Sequence, residues 1–211
     1  MEKEPRFDEM PFRAIKKEVV GQGSCVNVQE FCERNDLIVK SVLKYYNGSP
    51  EEEAKVVADY VNLAREKFPD QYSLFFPKTQ VVIGKNEFDK KAIYVVQEKI
   101  IGYDLAQGAL PEESKQDFKE LLSFLIDLYA QTFNKGWGLS AEIFRTSNYM
   151  LGHKEAENND QDRIYIVDMT PIFRISLGTF KLELDRLASG LGLSLEYKNE
   201  LLAKLDVLKE K

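Results

Sequence analysis

Leu37-Ile38-Val39-Lys40-Ser41-Val42-Leu43 is a run of strand length and strand composition interrupted by one lysine. The strand period of two puts Lys40 on the face of Ile38 and Val42, an apolar face. An ammonium held there either snorkels into water from an edge strand or meets an anion, a carboxylate or a phosphate. Upstream, Val26-Asn27-Val28-Gln29-Glu30-Phe31 alternates at the same period. Ala14-Ile15-Lys16-Lys17-Glu18-Val19-Val20 precedes it, joined through Gly21-Gln22-Gly23-Ser24. With the polar turn Glu33-Arg34-Asn35-Asp36, these runs predict three antiparallel strands. The link Gly21-x-Gly23, with Val28 beyond it, suits either an ordinary hairpin turn or a loop whose backbone N–H groups approach a phosphate.

Downstream, Asn47-Gly48-Ser49-Pro50-Glu51-Glu52-Glu53 is a helix start: Ser49 can cap, Pro50 fits the first helical position and Glu52 completes a capping box. Val56, Val57, Tyr60, Val61, Ala64 and Phe68 follow the helical period, and Pro69 stops it. Glu53 lies one turn before Val56 and Val57, on the face that must pack against a sheet, where it could meet Lys40. Equally, Glu51, Glu52 and Glu53 complement the helix dipole. Strands over residues 79–83 and 92–97 complete the order β-β-β-α-β-β.

Polarity then rises over residues 102–113, where the chain is expected to divide: an arm over 1–12, a first part over 13–101 and a second over 102–211. Ser114-Lys115-Gln116-Asp117 opens a helix with Phe118, Leu121, Leu122, Leu125, Leu128, Tyr129 and Thr132 on one face and Gly136 at its end. An irregular loop leads to Asn148-Tyr149-Met150-Leu151. Residues 153–163 read as a hydrophilic hairpin tip, Ile164-Tyr165-Ile166-Val167 as a buried strand ending at Asp168, and 180–188 and 195–208 as helices. Asn148 and Asp168 each border a short strand. An amide oxygen and a carboxylate converging there suit Mg²⁺, a hard cation that takes oxygen ligands alongside phosphates. Both residues are also common turn formers.

The 211 residues carry 44% apolar and 30% charged residues, an ordinary globular composition long enough for a sizeable core. A net charge of −6 argues against nucleic acid as a partner, which would need a basic surplus. One histidine, His153, leaves little room for zinc sites or Ser-His-Asp triads. Two cysteines, Cys25 and Cys32, make no disulfide framework and suit a reducing compartment. The charged start Met-Glu-Lys-Glu-Pro-Arg lacks the apolar core of a secretion signal, and no apolar run approaches the ~20 residues that span a bilayer.

In order along the chain stand a glycine-bearing hairpin, a strand lysine, a helix glutamate, two strands, a polar linker, a long helix, a loop with Asn148 and a strand ending at Asp168. This series resembles the protein-kinase-like fold over residues 14–172. Gly21-Gln22-Gly23-Ser24-Cys25-Val26-Asn27-Val28 is similar to that family's glycine-rich loop, with Val26 in place of the third glycine. Leu37-Ile38-Val39-Lys40 is similar to its V-A-I-K strand, and Tyr94-Val95-Val96-Gln97-Glu98-Lys99-Ile100-Ile101-Gly102 resembles its fifth strand and hinge. Thr146-Ser147-Asn148-Tyr149-Met150-Leu151 resembles the end of its catalytic loop, and Val167-Asp168-Met169-Thr170 stands where D-F-G belongs.

The resemblance implies an α+β, two-lobed domain: a five-stranded antiparallel N-lobe sheet with one helix, and a reduced, mostly helical C-lobe. It implies ATP and Mg²⁺ as cofactors. The Gly21, Gly23 and Ser24 amides and Lys40 would hold phosphates, with Val28 on the adenine face and Glu53 orienting Lys40. Adenine would lie near the backbone of Glu98 and Ile100, and Asn148 and Asp168 would hold the metal. The departures are specific. There is no H-R-D; counting back from Asn148 by the family's spacing lands on Ile143, which cannot accept a proton, so Glu142, one residue away, is the candidate base. The interval from Lys40 to Glu53 is short for the family, which keeps Asp59 as a second partner for the lysine. Only 43 residues follow Asp168, without A-P-E.

So reduced a C-lobe resembles the minimal kinases that some pathogenic bacteria secrete as effectors, and small bacterial kinase-like proteins of other roles. The implied activity is transfer of the ATP γ-phosphoryl group to a protein hydroxyl, of Ser/Thr type, with Lys40, Glu142 and Asp168 as the catalytic set. The expected partner is an unidentified protein substrate, in effector style a host protein. Nucleic acid and membrane are not expected, and the chain is expected to be a monomer. The expected location is the cytoplasm, or a host cell reached by a non-Sec route. Two alternatives stay open: a pseudokinase acting through nucleotide binding or a partner surface, and a small-molecule phosphotransferase, whose relatives give a larger helical C-lobe to the acceptor.

Overall fold

The computed structural model describes residues 15–22, 26–31, 34–43, 48–107, 110–132, 141–155, 162–168 and 176–206. The chain divides into two compact units, Met1–Asn62 with Pro77–Lys99 and Lys154–Asn158, and Leu63–Phe76 with Ile100–His153 and Asn159–Lys211.

In the first unit the alternating runs form β1 (Ile15–Gln22), β2 (Val26–Phe31), β3 (Leu37–Val42), β4 (Thr79–Lys85) and β5 (Lys91–Glu98). They make the expected five-stranded antiparallel sheet, in the order β1-β2-β3-β5-β4. The strand period separates two apolar clusters. Leu37, Val39, Tyr94, Val96 and Val82 pack on one face. On the other, Val42 and Ile93 meet Ala54 of helix α1 (Pro50–Lys67), with Val81 and Val95 alongside. The capping box that starts α1 is present: Glu52 N–H donates to Ser49 Oγ at 3.2 Å, and Ser49 N–H donates to Glu52 Oε2 at 3.1 Å. The β4–β5 turn is tied by Asn86, whose Oδ1 accepts from the N–H groups of Phe88 and Lys90, both at 3.0 Å.

The second unit contains α2 (Pro69–Phe75), β6 (Ile100–Asp104), α3 (Lys115–Thr132), β7 (Tyr149–Lys154), β8 (Arg163–Ile166), α4 (Leu177–Gly190) and α5 (Leu195–Asp206). All seven α3 residues expected on one face are buried. Around α3, Phe124 takes Phe68 and Phe76 edge-on, Tyr129 stacks on Phe180 at 4.0 Å, and Tyr197 donates its hydroxyl to Lys119 O at 2.6 Å. Burial, with the Glu200 and Glu120 carboxylates nearby, pushes the Tyr197 hydroxyl up to about 12.

Two elements were not expected. Pro69 does stop α1, and it also opens α2 as its first residue, since a proline's fixed φ suits a helix start. Residues 100–104, read as hinge and polar linker, form β6, which pairs with β7 in a sheet of order β6-β7-β8. Gly102 and Gly152 make that pairing possible: a Cβ on Gly102 would sit 2.1 Å from Leu151 O, and one on Gly152 2.1 Å from Ile101 O. Among the described residues, no helix is long and apolar enough to cross a membrane.

Candidate functional site

Gly21, Val28, Lys40, Val95 and Val81 stand directly opposite one another in successive strands and form one row across the first unit's sheet. Opposed residues of antiparallel strands share a face, so three residues singled out in the sequence are aligned by register alone. The edge-strand reading of Lys40 does not hold. β3 lies between β2 and β5, and Lys40 is only 7% exposed. Val42, two residues along on the same face, packs on Ala54, and the neighbouring Glu53 is 0% exposed. A buried lysine and a buried carboxylate thus occur on the covered side of one sheet, each costly there without an opposite charge. Asp59, the other acid considered for Lys40, is exposed. Gly23 and Ser24 lie outside the described residues.

The carboxylate of Glu98 is committed to the framework: Oε2 accepts from Lys78 N–H at 2.8 Å and pairs with Lys154 Nζ at 3.3 Å. Its own N–H donates to Lys78 O at 3.1 Å. Beside it, Lys99 Nζ bridges Glu30 at 2.8 Å and Glu155 at 3.2 Å, and these bonds, Glu30 first, hold its ammonium above the usual lysine range. Ile100, in the second unit, begins β6. Leu105 N–H donates to Tyr149 O and Glu155 N–H to Lys99 O, so the odd positions carry the ladder to β7. The backbone groups of Ile100 and Gly102 are therefore turned away from β7, as the antiparallel alternation requires.

Asn148 and Asp168 are both half-buried in the second unit. Val167 N–H donates to Asn148 O at 2.9 Å, which extends the β7–β8 ladder by one pair and puts Asp168 next to the residue opposite Asn148. An amide oxygen and a carboxylate at adjoining strand ends fit a hard divalent cation in donor chemistry. Among the described residues no group of three or more His, Cys, Asp or Glu side chains is placed to hold a metal. The loop before Asn148 is anchored from inside. Ile143 and Phe144 are buried, Phe144 meets Phe180 edge-on at 5.0 Å, and the buried Tyr149 hydroxyl donates to Ile143 O. Burial pushes that hydroxyl's pKa up, so it stays a donor. The Glu142 backbone lies in the short 3-10 turn Ala141–Phe144, while its side chain falls outside the described residues.

Two residues escaped the sequence reading. Lys154 was placed in a hydrophilic tip but ends β7 and is buried against Glu98. Gln97 is a buried polar residue at the end of the apolar run Ala92-Ile93-Tyr94-Val95-Val96, the same signal that singled out Lys40. No protein-family model matches the chain, and no curated protein matches it.

Proposed function

We propose that this protein is a Mg²⁺- and ATP-dependent phosphotransferase on a kinase-like fold, acting on a protein hydroxyl. The observation that carries this reading is the row Gly21–Val28–Lys40, with its lysine buried in the middle strand of the sheet. The sheet order β1-β2-β3-β5-β4, with α1 inserted between β3 and β4, supports it. In this reading Lys40 binds nucleotide phosphate, Glu53 orients Lys40, and Val28 lies against the base. The backbone of Glu98 and Ile100 receives adenine, and Asn148 and Asp168 hold the metal. Mg²⁺, when bound, neutralises phosphate charge as it develops, and the protein's part is positioning. The effector-style reading, with a host protein as acceptor, rests on analogy with the family alone.

Binding is the first test. At a nucleotide concentration about 100 times the dissociation constant, linkage contributes about 2.7 kcal/mol, several degrees in melting temperature. No shift at millimolar ATP with several divalent ions would remove the reading.

A pseudokinase is the second reading, favoured by Ile143: it is 3% exposed at the position counted for the base. Glu142→Gln separates the two. If Glu142 is the base, transfer falls by about 10²–10⁴-fold with Mg-ATP binding unchanged. Transfer within about threefold of wild type excludes it as the base, and ATP binding without transfer in the wild type favours the pseudokinase.

A further inference from the structure

The five-stranded sheet ends in β1 on one side and β4 on the other, and the two edges are built differently. β1 is guarded. Its register with β2 shifts between Ile15 and Val19 and again between Val19 and Gly21, and Lys16, Lys17 and Glu18 place charge along it. β4 has neither device. It runs against β5 in unbroken register, from Thr79 opposite Gln97 to Lys85 opposite Lys91, and Thr79-Gln80-Val81-Val82-Ile83-Gly84 holds no charge and no proline. Glu98 N–H donates to Lys78 O and Asn86 N–H to Lys90 O, so the even positions of β4 carry the ladder to β5. The backbone groups of Val81 and Ile83 therefore point outward, and among the described residues no strand lies beyond them. Ile83 is 40% exposed. A regular, β-branched edge of this kind is a template for a further strand.

We propose that β4 is a homodimer edge, at which a second copy of this chain adds its own β4 antiparallel about a two-fold axis and continues the sheet. An isologous contact needs a self-complementary patch, and β4 supplies one. Pairing centred on Val82 sets Val82 against its counterpart, Val81 against Ile83 and Gln80 against Gly84. Val81 and Ile83 are the outward-bonding positions, so each Val81 exchanges both backbone bonds with the Ile83 that faces it. The same two β-branched side chains then pack across the joint, which covers the exposed Ile83. Lys85 falls opposite Thr79 rather than a charge, and its ammonium is already paired with Asp89 at 2.7 Å. A strand from another protein could use the same backbone bonds, but the side-chain symmetry favours a second copy. The contact is one strand long, small beside a standard interface, so the dimer is weak and the expected monomer is its dilute form. The proposal stands apart from the nucleotide reading.

The test is sedimentation velocity on the full chain from about 1 μM to about 1 mM, with amide exchange measured over the same range. The mass should rise from one copy toward two. The Val81 and Ile83 amides should exchange more slowly as the concentration rises, while those of β1 stay unchanged. Val81→Pro removes an N–H that β5 does not use, so it should fold and weaken association by about tenfold or more. Ile83→Lys puts a charge at the joint and should weaken it similarly, whereas Val20→Lys on the guarded edge should not. Should Val81→Pro fail to fold, as circular dichroism would report, Ile83→Lys and the wild-type exchange still decide the matter. A single-copy mass at every concentration would overturn the inference, as would variants that associate like wild type. Val81 and Ile83 amides already slow in dilute solution would overturn it too, since the edge would then be covered within one chain.

Discussion

Lys40 and Asn148 are both candidates for holding a phosphate–metal group, yet the two units position them by different physics. Lys40 is placed by a ladder: β2 and β5 bond it from both sides, and its row is fixed from Gly21 to Val81. Asn148 stands at the mouth of a hairpin. It is held by backbone bonds with Val167 and Arg145 and by a loop pinned through Tyr149, Ile143 and Phe144 to an aromatic core. The first arrangement repeats a simple period; the second depends on contacts between residues that share no period. A substitution therefore propagates along the sheet in one unit and through side-chain anchors in the other.

The largest effects should come from the charged groups themselves. Lys40→Met and Asp168→Ala are each expected to lower phosphotransfer by about 10³-fold or more, read with labelled ATP on folded protein. Lys40→Met should also lose more stability than Asp168→Ala, because Lys40 is buried while Asp168 is half-buried. Equal losses in urea unfolding would erase the distinction drawn between the units. Transfer near wild type by either folded variant would remove that residue from the site.

Next comes a register position in the second unit. Gly102→Ala forces a Cβ to within 2.1 Å of Leu151 O, and the expected cost is about 3 kcal/mol in urea unfolding. A neutral result would mean that β6 and β7 part easily.

Tyr149→Phe tests the anchor of the loop. It leaves the Ile143 carbonyl without its donor, for about 1–3 kcal/mol, and amide exchange over residues 141–148 should quicken more than elsewhere. Uniform quickening would show that the loop has no separate anchor.

The smallest effect concerns a surface pair of the first unit. Arg34 grips Asp36 through Nε at 2.7 Å and a second nitrogen at 2.6 Å, and this hydrogen bond holds the Asp36 carboxyl below its usual range. A depressed carboxyl stabilises the fold above the unfolded value, about 3.9, and loses that contribution as the pH falls through the folded value. Wild type should exceed Asp36→Asn by about 0.5 kcal/mol at neutral pH, converging with it in acid. A difference that stays constant with pH would argue against the pair.

Much of the first unit was legible because its signals are local. The strand period gave β1 to β5, the capping box gave α1, and one lysine in an apolar run gave Lys40. The same rule applied to Gln97 would have found it too, but a glutamine stands out less than a charge. In the second unit the helix faces were legible and the sheet was not. Ile101, Gly102 and Tyr103 are exposed, so β6 lacks the alternation that marks a half-buried strand. Lys154 is charged in a hydrophilic stretch, and its partner Glu98 is distant in sequence. Asn148 and Asp168 could be paired from the hairpin between them, whereas the loop's anchors are long-range and leave no local pattern.

The middle joint of the five-stranded sheet bears on the order of assembly. β1, β2 and β3 follow one another as a meander and β4 and β5 as a hairpin, but β3 meets β5 only across α1, α2 and β4. Closing so long a segment is the costliest step in chain entropy, and non-local strand pairs tend to form late. The row through Lys40 and Val95 is that joint. Folding kinetics should accordingly give a low φ-value at Val39 and higher ones in the β4–β5 hairpin, and the reverse order would count against a late joint. On this account an unfinished chain has the row from Gly21 to Lys40 without its continuation to Val95 and Val81, and the sheet around Lys40 closes only with the last step of folding.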